Sequence, residues 1–153
     1  MAYTTVNKSS VQFNVKLYTG NGSDATAYTG VGFQPDLSWI KKRDGTNFHV
    51  FTDSVRGATK QIYPNSSSAA QTVASGLQSF GSDGFTLGTN TDTNGNGGSY
   101  VSWNWKAGTT SGLSGGTITP TGYSINTTSG FGIYTYTGNG TSGATIAHGL
   151  GKA

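Results

Sequence analysis

The sequence predicts an all-β fold, a jelly-roll-like β-sandwich of antiparallel sheets with little or no helix. Three observations predict it. Gly supplies 25 of 153 residues and Pro only 3, so turns are many and are made by Gly. Aromatic residues make up 12% of a chain that is only 10% charged, which argues for a packed interior rather than disorder. All 6 acidic residues are Asp, a turn former, and the helix former Glu is absent.

The elements follow in order. Residues 1–10 are polar and patternless and read as an arm. Val11, Phe13, Val15 and Leu17 alternate with Gln12, Asn14 and Lys16, the period of a half-buried strand. Gly20-Asn21-Gly22-Ser23 reads as a tight hairpin turn, because Asn-Gly supplies positive φ. Leu37–Lys41 and Phe48–Thr52 flank Asp44-Gly45-Thr46-Asn47, a second hairpin. Ile62-Tyr63 is a short strand ended by Pro64-Asn65, and the Ser/Ala-rich stretch 66–76 is a loop or a single helical turn. Leu77–Phe80 and Phe85–Leu87 flank Gly81-Ser82-Asp83-Gly84, a third hairpin. The polar stretch 89–98 is a loop, Tyr100–Lys106 is the strongest strand, and 107–122 is a linker or long surface loop. Tyr123–Ile125 is a weak strand. The count is nine to eleven strands with frequent turn signals, the pattern of a sandwich.

The stretch Phe13-Asn14-Val15-Lys16-Leu17-Tyr18-Thr19-Gly20-Asn21-Gly22 recurs as Phe131-Gly132-Ile133-Tyr134-Thr135-Tyr136-Thr137-Gly138-Asn139-Gly140. Too few residues follow Gly140 for a second sandwich. The chain therefore reads as one domain over 11–153, with 131–153 a truncated second copy of the opening strand and turn. That copy is expected to pair within its own chain, beside residues 11–22, rather than with a neighbour.

Composition excludes several function classes. The net charge is only +3 and the one basic run is Lys41-Lys42-Arg43, so no nucleic-acid footprint is visible. No segment approaches a membrane span, and residues 1–5 carry no secretion signal. Without Cys there is no disulfide framework and no thiolate metal site. No cofactor is expected.

Three constellations bear on chemistry. Trp103 and Trp105, with Tyr100 beside them, could form an aromatic platform for sugar stacking. Large apolar residues at spacing two are more often core, and Val101, Trp103 and Trp105 then form the inward face of a central strand. Asp92-Thr93-Asn94-Gly95-Asn96-Gly97 matches the first half of a calcium loop, but position twelve is Trp103 instead of the closing acid, so an Asx-rich turn is the better reading. His49 and His148 lack a third ligand pattern and read as structural or surface residues. No nucleophile elbow, phosphate loop or carboxylate pair stands out. Asp53 and Arg56 read as an ion pair across a turn.

Several blocks carry a resemblance. They are Tyr18-Thr19-Gly20-Asn21-Gly22, Gly32-Phe33-Gln34-Pro35-Asp36-Leu37-x-Trp39-Ile40-Lys41 and Asp53-Ser54-Val55-Arg56-Gly57-Ala58-Thr59-Lys60, then Ser82-Asp83-Gly84-Phe85-Thr86-Leu87-Gly88 and Tyr100-Val101-Ser102-Trp103-x-Trp105-Lys106-Ala107-Gly108. In this order they resemble a repeat domain of virion structural proteins of tailed phages, especially marine and cyanobacterial ones. The resemblance implies a non-enzymatic role on the outer surface of a phage particle and supplies no catalytic or binding residues. The expectation is a decoration or cement protein that bridges the major capsid protein or another virion protein, seated there as a homo-oligomer such as a trimer. The alternative is a receptor-binding module for host glycan on a fibre or other appendage. A polysaccharide depolymerase stands third.

Overall fold

The structure, a computed structural model, describes Val6 and residues 8–151. Among the described residues eleven strands are present: β1 Phe13–Thr19, β2 Thr26–Thr29, β3 Leu37–Lys42, β4 Val50–Asp53, β5 Lys60–Ile62, β6 Gln71–Thr72, β7 Leu77–Gly81, β8 Gly84–Leu87, β9 Ser99–Trp105, β10 Gly122–Asn126 and β11 Phe131–Thr135. One helical turn, α1, spans Thr91–Asn94 and is capped by Asn90, whose side chain accepts from Asp92 N. The strands form a six-stranded sheet in the order β1-β9-β3-β4-β5-β6, a three-stranded sheet β2-β8-β7 and a two-stranded sheet β10-β11. Every pair of these strands is antiparallel. The fold is all-β and sandwich-like.

The two larger sheets share the core. Tyr18, Ile40, Val50 and Tyr100 come from the six-stranded sheet, Leu77, Phe85 and Leu87 from the three-stranded one, and Val31, Phe33 and Tyr63 from connecting segments. Tyr100, Ile40, Leu77 and Leu87 are fully buried, each contributing roughly 1.5–3 kcal/mol. Beside this cluster the inner face of the large sheet is polar. Asn14, Asn104, Ser38 and Thr52 lie opposite one another across four strands, and Thr52 faces Gln61 on the fifth. Ser38 Oγ donates to Asn104 Oδ1 at 2.8 Å and Asn104 Nδ2 donates to Ser102 Oγ at 3.0 Å, whereas Thr52 Oγ1 and Gln61 Nε2 are buried without a partner among the described residues.

The structure corrects several sequence expectations. Gly20–Ser23 is not a hairpin turn: β1 pairs with β9 and β2 with β8, so this turn carries the chain from one sheet to the other. Gly22 has the expected positive φ of 67°, used here for a crossing rather than a hairpin. The apolar residues of the first strand face outward. Val15 and Leu17 are 43% and 58% exposed, while Tyr18 enters the core. Val11 lies before the strand in a 3-10 turn, Ser9–Val11, which replaces the end of the expected arm; residues 1–5 and 7 lie outside the described residues. Likewise Trp103 and Trp105 are on the outer face of β9 and only half-buried, and the inward face is Tyr100, Ser102 and Asn104. The loop 89–98 contains α1, and 66–76 contains β6.

The second copy of the repeat pairs within the chain, but β11 joins β10 and not β1. This hairpin is tied to the body by Asp36. The Asp36 carboxylate accepts from Ala107 N and Ser54 Oγ, and also from Ser124 Oγ of β10. Phe131 stacks on Trp105 at 6.0 Å, which sets β11 over one end of the outer face. Lys152 and Ala153 lie outside the described residues.

Candidate functional site

The outer face of the six-stranded sheet is the most unusual surface of the molecule. Cross-strand neighbours point to the same side, so the register aligns their side chains in rows. One row runs Val15, Trp103, Trp39, Phe51, Ile62 across β1, β9, β3, β4 and β5. At the usual ~4.8 Å between strands it is about 19 Å long. Trp39 packs on Trp103 at 4.9 Å with a 45° tilt and on Phe51 at 5.0 Å. Its indole Nε1 donates to His49 Nδ1 at 3.2 Å, so His49 orients Trp39 and has a structural role. A second row, Phe13, Trp105 and Leu37, lies toward the hairpin, with Phe13 and Trp105 4.9 Å apart. A third holds Leu17, Val101 and Lys41.

The hairpin divides this face into a covered and an open part. Phe131–Thr135 closes a cleft of about 330 Å³ against Leu37, Phe51, Arg56 and Ile62. Within it Asp53 and Arg56 form the expected ion pair at 2.6 Å. The open part centres on Val15, Leu17, Trp39 and Trp103. Its exposed residues are Val15 and Leu17, with Trp39 and Trp103 half-buried beside them.

The sequence-predicted platform residues separate. Trp103 and Trp105 share the outer face, whereas Tyr100 is fully buried on the opposite side, because successive residues of a strand alternate. Tyr100 belongs to a stack with Tyr18 at 5.2 Å, and Tyr18 in turn meets Tyr28 at 4.3 Å. Burial pushes the Tyr18 phenol well up, and burial also raises Tyr28 and Tyr100.

The calcium-like loop is committed to internal bonds. Asn94, fully buried, accepts from Tyr28 Oη at 2.6 Å and from Asn21 N at 3.1 Å. Its amide donates to Gly88 O, Ser23 O and Asn21 Oδ1. Asp92 accepts from Asn47 Nδ2 at 2.9 Å. Among the described residues no three His, Cys, Asp or Glu side chains cluster to hold a metal. His148 sits beyond the hairpin, where its carbonyl accepts from Tyr134 Oη.

Sequence reasoning missed the roles of Asn94 and Asp36. Both join segments more than 60 residues apart, and only the Asx-rich context of Asn94 hinted at a side chain bonding backbone.

These features define a β-domain whose large sheet has an aromatic outer face, partly covered by the β10–β11 hairpin. The chain belongs to the family described as Domain of unknown function (DUF7483), which matches residues 8–153. No curated protein and no solved structure matches it.

Proposed function

We propose that this chain is a non-enzymatic structural protein of a tailed-phage virion, seated on the outer surface of the particle and bridging neighbouring capsid subunits as a decoration or cement protein. The observation that carries the reading is the outward-facing group of Val15, Leu17, Trp103 and Trp39, from two adjacent rows of the large sheet. Such a face gains by covering a complementary protein surface, and burial of apolar area is worth about 25 cal/mol per Å². The order of the repeat-like blocks supports the virion setting.

The alternative partner is host glycan. The packing of Trp39 against Trp103 favours protein over sugar, because each tilted ring covers part of the other, and sugar stacking needs an open ring face. The test is addition of purified protein to particles that lack it. Bridging predicts recovered resistance to heat and osmotic shock, lost with Leu17→Lys or Val15→Lys. Restored host adsorption without any gain in shell resistance would replace it with the receptor-binding reading.

A further inference from the structure

We propose that residues 131–151 are an exchange arm, able to take the place of residues 13–32 in another copy of this chain. The inference is independent of where the protein resides. It rests on a slot whose occupant is seen, and on a second segment built like that occupant.

In the slot, Tyr18 is 9% exposed, stacks on Tyr100 and donates to Thr93 O at 2.7 Å. Gly20 N donates to Gly98 O, Gly97 N donates back to Gly20 O, and Gly22 N donates to Asn94 O. The fit at Gly20 admits no side chain: a Cβ there would lie 2.4 Å from Gly95 O. Farther on, Val31 is fully buried between Gly30 and Gly32, both with positive φ.

The second copy repeats the Tyr-Thr-Gly-Asn-Gly turn with the same local backbone shape, and although residues 145–149 pack on Thr117, Leu113 and Ile125, the turn itself has no slot around it. Gly140 has φ 69° where Gly22 has 67°. Asn139 Oδ1 accepts from Thr141 N at 2.9 Å, as Asn21 Oδ1 accepts from Ser23 N at 2.9 Å. After one extra residue, Gly149 and Gly151, flanking Leu150, have positive φ as Gly30 and Gly32 do around Val31. Yet Tyr136 is 54% exposed, and a Cβ on Gly138 would meet nothing within 4 Å. Nothing in the second copy's present surroundings requires a glycine at 138, whereas the slot requires one at the matching position.

The occupant fitting this chemistry is a second copy of the chain, whose β9 and α1 supply the stacking Tyr100 and the Asn94 clamp. Each slot already holds residues 13–32, so docking is an exchange. The segment released by β9 carries the repeated motif and can take the vacated place beside β10. The interactions broken and those formed match at the Tyr-Thr-Gly-Asn-Gly turn, while Asn14, Lys16 and Leu17 give way to Gly132, Tyr134 and Thr135, and concentration shifts the balance. A two-stranded hairpin is marginal alone, which makes β11 a strand that can be released.

The chain has no Cys, so exchange can be trapped cleanly. Ser99 faces Thr19 across the β1–β9 register, and Thr137 is the counterpart of Thr19. Under thiol-exchanging conditions the pair Ser99→Cys with Thr137→Cys should give at least tenfold more disulfide-linked dimer than Ser67→Cys with Thr137→Cys. Adding Gly138→Ala should remove the excess while leaving the monomer's unfolding midpoint unchanged. A cysteine-free measurement guards against misfolded variants: sedimentation of the unaltered chain should show a concentration-dependent dimer that Gly138→Ala abolishes. Dimer yield equal to the Ser67 control, or a dimer indifferent to Gly138→Ala, overturns the proposal.

Discussion

Replacing Asn94 tests how the two sheets are held together. Its side-chain oxygen accepts two hydrogen bonds, its two amide hydrogens are shared among three acceptors, and it is fully buried. Asn94→Ala leaves the Gly88 carbonyl and the Asn21 amide without this partner. Tyr28 Oη keeps a longer bond to Thr19 O at 3.2 Å. An unsatisfied buried group costs about 1–3 kcal/mol, so the loss should be about 4 kcal/mol. For a chain of this size that is a fall of roughly 8–16 °C in Tm. Urea unfolding followed by Trp fluorescence measures it. Asn94→Asp sharpens the test. The carboxylate keeps both acceptor bonds but confronts three oxygens, so it is destabilising at neutral pH. Burial among acceptors raises its folded pKa above the unfolded value, so the penalty is absent below about pH 4 and grows as pH rises. A loss below about 1 kcal/mol for Asn94→Ala, or an Asn94→Asp variant insensitive to pH, would refute the clamp.

Gly20→Ala should destabilise by more than about 2 kcal/mol because its Cβ meets backbone, while Gly138→Ala at the matching position should stay within about 0.5 kcal/mol; paired melts compare them. Leu17→Lys, at a 58% exposed site, should also leave stability within about 0.5 kcal/mol yet remove particle binding in a pull-down with capsids. The Asp83 carboxyl is held below its ordinary value by the backbone amides of Gly32, then Gly30, and that of Asp44 by Ser99 N. Depressed folded values contribute stability above the unfolded pKa that is lost as pH falls through the folded one, so Asp83→Asn should flatten the acid limb of a stability–pH curve. Asp36→Ala should free the hairpin, at a cost of about 2–3 kcal/mol, and change the fluorescence of Trp105 as Phe131 leaves it.

The fold class was legible because strand periods and turn residues act locally. The β3–β4 and β7–β8 hairpins fell where Asp44–Asn47 and Gly81–Gly84 placed them. Which face of a strand is covered is decided by another element, and period alone does not carry it. Val15 and Trp103 alternate as core residues do, yet the covering sheet packs on the other side, over Tyr18 and Tyr100. The Asn21-Gly22 turn misled for the same reason: its φ is local, but the partner of β1 is β9, far along the chain. The aromatic face was half legible. Trp103 and Trp105 were found together; Trp39 and Phe51 joined them only through register.

The position of β9 also dictates when the protein can fold. It lies between β1 and β3, pairing Phe13 and Leu37 alike with Trp105. Until that strand leaves the ribosome, β1 has no partner in the sheet and Tyr18 has no Tyr100 to stack on. The β3–β4 hairpin can form early, but β1 must wait through roughly ninety residues of synthesis, at about 5–20 residues per second. Closing so long a loop makes the joining of β1 to β9 the slow, aggregation-exposed step of assembly.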